Sequence, residues 1–393
     1  MRVNNLDVLQ RRTLIWAGLA VILTAFDGSV LVLALPAIAS DFHAQIPGLS
    51  NLGSVLALGS LGALPLATLA DRFGRRRLIA IGVAGASLAN FASAFAPSLL
   101  SLALMRLVAV CFEALVGTVA TALIVEEAPS GRRGLAVSVL AILSGAGLLI
   151  AIVAYPILAP HWRWLFAAGG VGVLIAPLIW TQLPEGRTWS RVPRGGSAIR
   201  LLLRSPWRRR VATFAAMSAL VAVLQEPAGL FYTLFASSVL RFTPAAISIV
   251  IFFAGLAALV SYLPGGYLSD RFGRKAPAVV LTFASTLAAA VSFVTGTLGF
   301  VVGNLLWSAL ASASTPVLGA WSGELYPTRA RASAEAIAGI FGAVGGIAGL
   351  QVVGLLSQSI GLGHALALVG IFALLGASML LLLPETRGQP LPD

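Results

Sequence analysis

Twelve apolar runs follow one another along this chain with short polar breaks between them, roughly 13–38, 49–70, 78–96, 99–125, 135–158 and 164–183, then 211–235, 247–268, 276–297, 299–318, 332–356 and 365–383. Each is close to the about 20 residues that a helix needs to cross bilayer hydrocarbon. Hydrophobic residues make up 58% of the chain and charged residues 10%, against ~25% charged in soluble domains. A water-soluble fold cannot hide that much apolar surface, so lipid is the solvent. With no water at that depth, the backbone must satisfy its own hydrogen bonds, and helices do so within one segment. The expected class is an all-α membrane protein. The first run follows Arg11 and Arg12 and ends at Ala37-Ile38-Ala39, a pattern shared with cleaved leaders. It is too long for a leader core and carries Asp27 in its middle, so we read it as the first span.

The chain repeats itself. Leu69-Ala70-Asp71-Arg72-Phe73-Gly74-Arg75-Arg76-Arg77 returns as Leu268-Ser269-Asp270-Arg271-Phe272-Gly273-Arg274-Lys275, 199 residues later. Glu126, three before Pro129 and followed by Arg132, returns as Glu324, three before Pro327 and followed by Arg331, at an offset of 198. Leu183-Pro184-Glu185 returns as Leu383-Pro384-Glu385 at an offset of 200. Three anchors at nearly one offset mark a tandem duplication. It divides the chain into a six-span half over 1–184, a linker over 185–210 and a second six-span half over 211–393.

The formal charge of +12 would suggest nucleic acid in a soluble protein. Here its placement decides otherwise: all the basic residues except Arg106, Arg163 and Arg241 fall in breaks on one side of the twelve spans. Loops rich in Lys and Arg stay cytoplasmic, so both termini are expected inside and the excess is a topology signal without nucleic-acid meaning. The linker, rich in Arg, Gly, Pro and Ser, suits a segment lying on anionic headgroups. Cys111 stands alone within an apolar run, which excludes an intrachain disulfide. His43, His161 and His364 lie in separate loops and form neither metal spacing nor a triad. We expect no enzyme, cofactor or metal. Gly342-x-x-Gly345-Gly346-x-x-Gly349 lies in a span with no lysine after it, so close helix packing is the expected use.

Asp71 and Asp270 each close an apolar run, where a helix C-terminus disfavours negative charge. Arg75, or a facing helix N-terminus, can offset that charge. A tight turn on the cytoplasmic side explains the arginines but neither aspartate. Asp-Arg-Phe-Gly-Arg-Arg/Lys after the second and eighth spans resembles the signature loop of the major facilitator superfamily, more fully in the second copy, since Ala67 replaces the usual glycine in the first. The resemblance implies a fold of twelve helices in two pseudo-symmetric halves and a cytoplasmic gate latching them. That gate would comprise Asp71, Arg72, Gly74, Arg75, Glu126 and Arg132 with Asp270, Arg271, Gly273, Arg274, Glu324 and Arg331. Glu324-Leu325-Tyr326-Pro327 and Leu383-Pro384-Glu385-Thr386-Arg387-Gly388 resemble the sugar-porter and metabolite:proton symporter branch. Phe26-Asp27-Gly28 resembles the first helix of drug:proton antiporters, although the fifth span has Ser144-Gly145-Ala146-Gly147 where those proteins have Gly-Pro.

Four ionisable residues fall deep within spans: Asp27 in the first, Arg106 and Glu113 in the fourth, Glu226 in the seventh. Each costs at least ~2.5–3.5 kcal/mol at the bilayer centre, so they should face a cavity or one another. The family resemblance implies that spans 1, 4, 7 and 10 line the central cavity. Arg106 and Glu113 are seven residues apart, about 10 Å along a helix, which predicts no direct contact. Asp27 is then the expected partner of Arg106. Asp27 is the first choice as proton carrier, tuned by Arg106, with Glu113 or Glu226 as the second; a permanent Asp27–Arg106 pair is the structural alternative.

Gln225-Glu226-Pro227-Ala228-Gly229 resembles the sugar-contacting segment of sugar porters, but Phe231 stands where a polar residue is usual and Gly319 where tryptophan is. Two hexose-contacting features are absent. The expected substrate site therefore includes Gln225, Glu226, Asp27 and Glu113, with Trp307, Phe231 and Tyr232 as apolar wall. Together these residues predict a monomeric secondary transporter in a bacterial cell membrane. It would carry a small polar organic solute (an organic acid, a sugar-like molecule or an amine-bearing metabolite) with protons, by symport. Drug or metabolite efflux by proton antiport, a channel and a non-transporting sensor stand as alternatives.

Overall fold

The computed structural model describes residues 8–67, 74–127, 133–185, 201–202, 204–205, 207–327 and 330–387. Asp71, Arg72, Arg132 and the side chain of Glu126 lie outside the described residues, as does most of the linker. Among the described residues all regular structure is helical.

The first half of the chain contributes α1 (Val8–Asp41), α2 (Ile46–Ala67), α3 (Arg75–Ser93), α4 (Leu99–Glu127) and α5 (Arg133–Leu158). A 3-10 turn at Ala159–His161 then leads into α6 (Trp162–Gly169) and α7 (Val171–Gln182). The second half contributes α8 (Trp207–Ser238), α9 (Pro244–Phe272), α10 (Lys275–Ser292), α11 (Gly296–Leu325), α12 (Arg331–Ile360) and α13 (Leu362–Met379), closed by a 3-10 turn at Leu380–Leu382. Nine described stretches are long and apolar enough to cross a membrane, and one of them, Val139–Gln182, is 44 residues long. At 1.5 Å per residue that stretch would reach about 66 Å, twice the hydrocarbon thickness. It is two crossings: α5, then α6 and α7 together, the latter pair broken at Gly170. With α2 and α3 the crossings among the described residues number twelve.

The surface is that of a membrane protein. Leu263, Leu298, Leu174, Ile157 and Leu355 are all more than two-thirds exposed, whereas a protein in water would keep such side chains inside or dispersed. Several polar and charged side chains, Asp27, Ser87, Asn90 and Arg106 among them, are buried instead. Two compact units arise, Met1–Ala44 with Leu58–Val192, and Gln45–Ala57 with Pro193–Asp393. The first turns of α2 thus belong to the second unit. There Gln351 of α12 donates to Asn51 Oδ1 at 3.0 Å and to Ser54 Oγ at 2.8 Å, and Gly354 lies against Ser50.

In the second unit α12 packs closely along α8. A methyl group on Gly345 or Gly349 would run into the α8 backbone at Ala219 and Val223 respectively. Small residues let two backbones approach where lipid supplies no hydrophobic drive for association. The glycine run of the eleventh span therefore serves helix contact. Elsewhere in the unit Trp321, Leu325, Tyr326 and Leu383 belong to one buried cluster, and Trp321 Nε1 donates to the Pro384 carbonyl at 3.1 Å.

Candidate functional site

The first unit brings α1, α3, α4 and α6 around one buried polar cluster. Asp27 and Arg106 are each 1% exposed, and Ser87 and Asn90 are fully buried. Ser87 Oγ donates to Asp27 Oδ2 at 3.1 Å, and Asn90 Nδ2 donates to Asp27 Oδ1 at 2.7 Å. Arg106 Nη1 donates to Asn90 Oδ1 at 2.7 Å, and its Nη2 pairs with Glu113 Oε1 at 3.2 Å. The guanidinium also lies over the Phe166 ring, 5.8 Å from its centroid. Gly169 is pressed against Asn90 and Asp27, and Gly172 against Ser87, so α6 and α7 close the cluster with their barest edge. Gly28 leaves room for Glu113, whose Oε2 would stand 3.3 Å from a methyl group there.

Two expectations from spacing are corrected. Arg106 and Glu113 do touch, although two turns separate them. Side chains on a helix lean toward its N-terminus, so Glu113 reaches back along α4 while the long Arg106 side chain extends forward to meet it. Asp27 and Arg106, expected as direct partners, are instead bridged by the Asn90 amide. Neither Ser87 nor Asn90 was singled out from sequence. Their signal was present: two polar residues three apart share one face of an otherwise apolar span.

In the second unit Gln225 and Glu226 of α8 both have exposed side chains. The Glu226 side chain lies against Gly346 of α12. Glu226 also stands 199 residues after Asp27, so the repeat puts an acid at one position in each half. Phe231 and Tyr232 are not wall residues: they are 0% and 7% exposed. Tyr232 stacks on Phe300 with centroids 5.0 Å apart. Trp307 is half-buried.

The repeated loop has a described second copy. Arg274 pairs with Asp270 at 2.8 Å and with Glu324 at 3.0 Å, and it donates to Ser269 Oγ at 2.7 Å. Thr386 Oγ1 donates to Glu324 at 2.6 Å. The Glu324 and Asp270 carboxylates hold the Arg274 guanidinium above its ordinary range, Glu324 contributing most. Thus the negative charge that closes α9 is offset by Arg274, one turn on. Arg271 Nη1 donates to the Tyr267 hydroxyl, and Arg331 Nε donates to the Tyr326 carbonyl.

The third anchor of the repeat acquires a structural meaning here. Glu385 accepts from the backbone N–H groups of Arg274 and Lys275 at 2.9 and 3.0 Å, the first free donors of α10. Glu185 accepts from Arg75 and Arg76 N–H at 2.6 and 3.3 Å, at the start of α3. Each carboxylate thereby caps the helix that follows the signature loop in its own half. Gly74 and Gly273 make room: both have positive φ, 88° and 91°, and a methyl group there would press on Glu185 or Glu385. Partial burial pushes the Glu385 carboxyl upward, but bonds from the N–H groups of Arg274, Arg387, Lys275 and Thr386 outweigh it and leave it below its usual value. Among the described residues no group of three His, Cys, Asp or Glu side chains could hold a metal ion.

Twelve membrane-crossing helices in two repeated halves, with a buried charge cluster and capped signature loops, define a membrane transporter fold. A model of the Major Facilitator Superfamily matches residues 17–242 and 228–393, and the chain belongs to that family. It is similar to the "Probable 4-methylmuconolactone transporter" of Cupriavidus pinatubonensis, with 28% identity over 93% of this chain and 88% of that protein. It is also similar to the niacin transporter NiaP of Acinetobacter baylyi, with 27% identity over 90% of this chain and 89% of that one. Among solved structures it superposes on a bacterial homologue of the human lysosomal transporter Spinster with a TM-score of 0.81. That pair shares 18% identity over 96% of this chain and 97% of the other. The protein is a multi-pass membrane transporter and not an enzyme.

Proposed function

We propose that the protein couples import of a small polar organic solute to protons, working by alternating access around a midplane site. The observation that carries this reading is the charge balance of the first-unit cluster. It holds two acids and one cation, and the cation is engaged by Glu113. Among the described residues, Asp27 receives hydrogen bonds from two neutral donors, Ser87 and Asn90. A buried carboxylate without a direct counter-ion is costly to keep charged, so Asp27 is the group that can exchange its charge for a proton. Glu113, with 13% of its side chain exposed, is the second candidate and a solute contact. Gln225 and Glu226 supply polar contacts from the other half.

The named solutes of the two relatives are small ring-bearing organic molecules, which supports the same size class here. The loop residues Asp71, Arg72, Gly74, Arg75, Glu126 and Arg132 with Asp270, Arg271, Gly273, Arg274, Glu324 and Arg331 form the cytoplasmic gate in this reading. Both termini are cytoplasmic, the membrane is a bacterial inner membrane, and the working unit is a monomer.

A thermal-shift screen begun with niacin and 4-methylmuconolactone identifies the solute, since binding to the folded form raises its stability by mass action. In proteoliposomes, an acid exterior should then drive accumulation that a protonophore abolishes. Asp27→Asn should retain solute exchange and lose accumulation. Accumulation indifferent to both the gradient and Asp27→Asn would sink the reading. Proton-coupled efflux is the second reading, favoured by the antiporter-like Phe26-Asp27-Gly28. It requires the opposite dependence, with accumulation only when the vesicle interior is the acid side.

A further inference from the structure

We infer that Asn90 is a positioning residue, an uncharged spacer that keeps Arg106 off Asp27 and so leaves the Asp27 carboxyl free to gain and lose a proton. The inference rests on the proton-carrier reading of Asp27 given above. Asn90 is fully buried, and its amide is the bridge between the two charged groups, at 2.7 Å on either side. Its orientation is determined by those charges. The NH2 must face the carboxylate and the carbonyl must face the guanidinium, because the reverse would set donor on donor and acceptor on acceptor. Gly169 packs against this amide, which leaves no slack for a rearranged bridge.

The geometry satisfies both proton states of Asp27 without moving a heavy atom. When Asp27 is ionised, Oδ2 accepts from Ser87 and Oδ1 accepts from Asn90. When it is neutral, a proton on Oδ2 donates to Ser87 Oγ, because a hydroxyl can turn from donor to acceptor. Oδ1 still accepts from Asn90. Arg106 keeps Asn90 and Glu113 in either state. A direct Asp27–Arg106 bond would forfeit this indifference: at low dielectric, a contact pair holds its charge strongly. The charged groups acting on Asp27 are Arg106 and Glu113 of α4. Among the described residues, α3 presents the Ser87 hydroxyl and the Asn90 amide to Asp27, and α6 presents the edge of Gly169.

The test needs no solute. Infrared difference spectra of the purified protein, taken across a pH series, report protonated carboxyl groups by their C=O band. The band lost in Asp27→Asn belongs to Asp27. In Asn90→Ala one neutral donor to the carboxylate is lost, but Arg106 can close on Asp27 and a charged donor more than replaces it. The band should then require about tenfold or more higher proton concentration to appear, the usual effect of an adjacent arginine. Asn90→Ser, too short to span both partners, should move it the same way and serves if the alanine variant does not fold. Ser87→Ala removes a donor to the charged form and should move the band oppositely. If Asp27→Asn removes no band, the proton-carrier reading and the spacer both fall. If Asp27→Asn removes the band but the Asn90 variants leave it in place or ease its protonation, the spacer alone is refuted.

Discussion

Replacing Glu385 by glutamine removes a charge and leaves an acceptor in its place. The carboxylate takes the first two N–H groups of α10, from Arg274 and Lys275, and those of Thr386 and Arg387. Hydrogen bonds to a charged group contribute ~1.5–3 kcal/mol against ~1 for a neutral one. An anion at a helix N-terminus adds ~0.3–1 kcal/mol. Glu385 is only partly buried, so water screens some of this, and a net loss of about 1–2 kcal/mol is expected at neutral pH. Hydrogen exchange followed by mass spectrometry on a peptide covering 268–280 reads that loss as roughly 5- to 30-fold faster opening at the start of α10. The pH dependence gives the sign. The folded carboxyl titrates below its ordinary value, so its stabilisation is complete above an unfolded pKa of ~4.3 and fades as pH falls through the folded one. The gap between variant and wild type must therefore close in acid. Equal exchange at neutral pH, or a gap that persists unchanged in acid, would refute the capping role. Glu185→Gln is the internal comparison: at α3 the carboxylate takes Arg75 and Arg76 N–H, and the start of α3 should likewise open faster.

Gly273→Ala places a side chain at φ 91°, where strain costs on the order of 1–3 kcal/mol, and presses on the Glu385 carboxylate. The variant should melt at lower temperature in detergent, and an unchanged midpoint would contradict the backbone reading. Gly169→Ala should destabilise the first unit by roughly 1–3 kcal/mol through overpacking and abolish proton-driven accumulation, since its methyl group would strike Asn90 and Asp27. Gly117→Ala on α4, where a methyl group meets nothing within 4 Å, should be silent in the same two assays.

The crossings and the duplication were legible because they depend on composition and spacing, which the chain carries locally. The fifth and sixth crossings stood apart in the sequence as the runs 135–158 and 164–183, which the structure joins in one stretch, Val139–Gln182. The buried acids were legible as costly residues in lipid spans, but their partners were not. Arg106 and Glu113 were kept apart by a rise along the axis that ignored how far and which way the two side chains lean. Asn90 and Ser87 passed as ordinary small polar residues until α1 and α4 were packed against α3. Leu-Pro-Glu was recognised as a repeat without a role, because its function lies in backbone donors about 110 residues away.

By itself, then, the sequence determined the solvent, the number of crossings, the twofold repeat and the identity of the charges that must be accounted for inside the membrane. Each follows from transfer free energy per residue or from periodicity, and neither depends on which helix lies beside which. Only the tertiary structure decided the pairing: Glu113 neutralises Arg106, Asn90 stands between Arg106 and Asp27, and Glu185 and Glu385 cap the helices after the signature loops. Hydrogen bonds and contact ion pairs form at about 3 Å, and at that range the outcome is settled by which side chains the packed helices bring together.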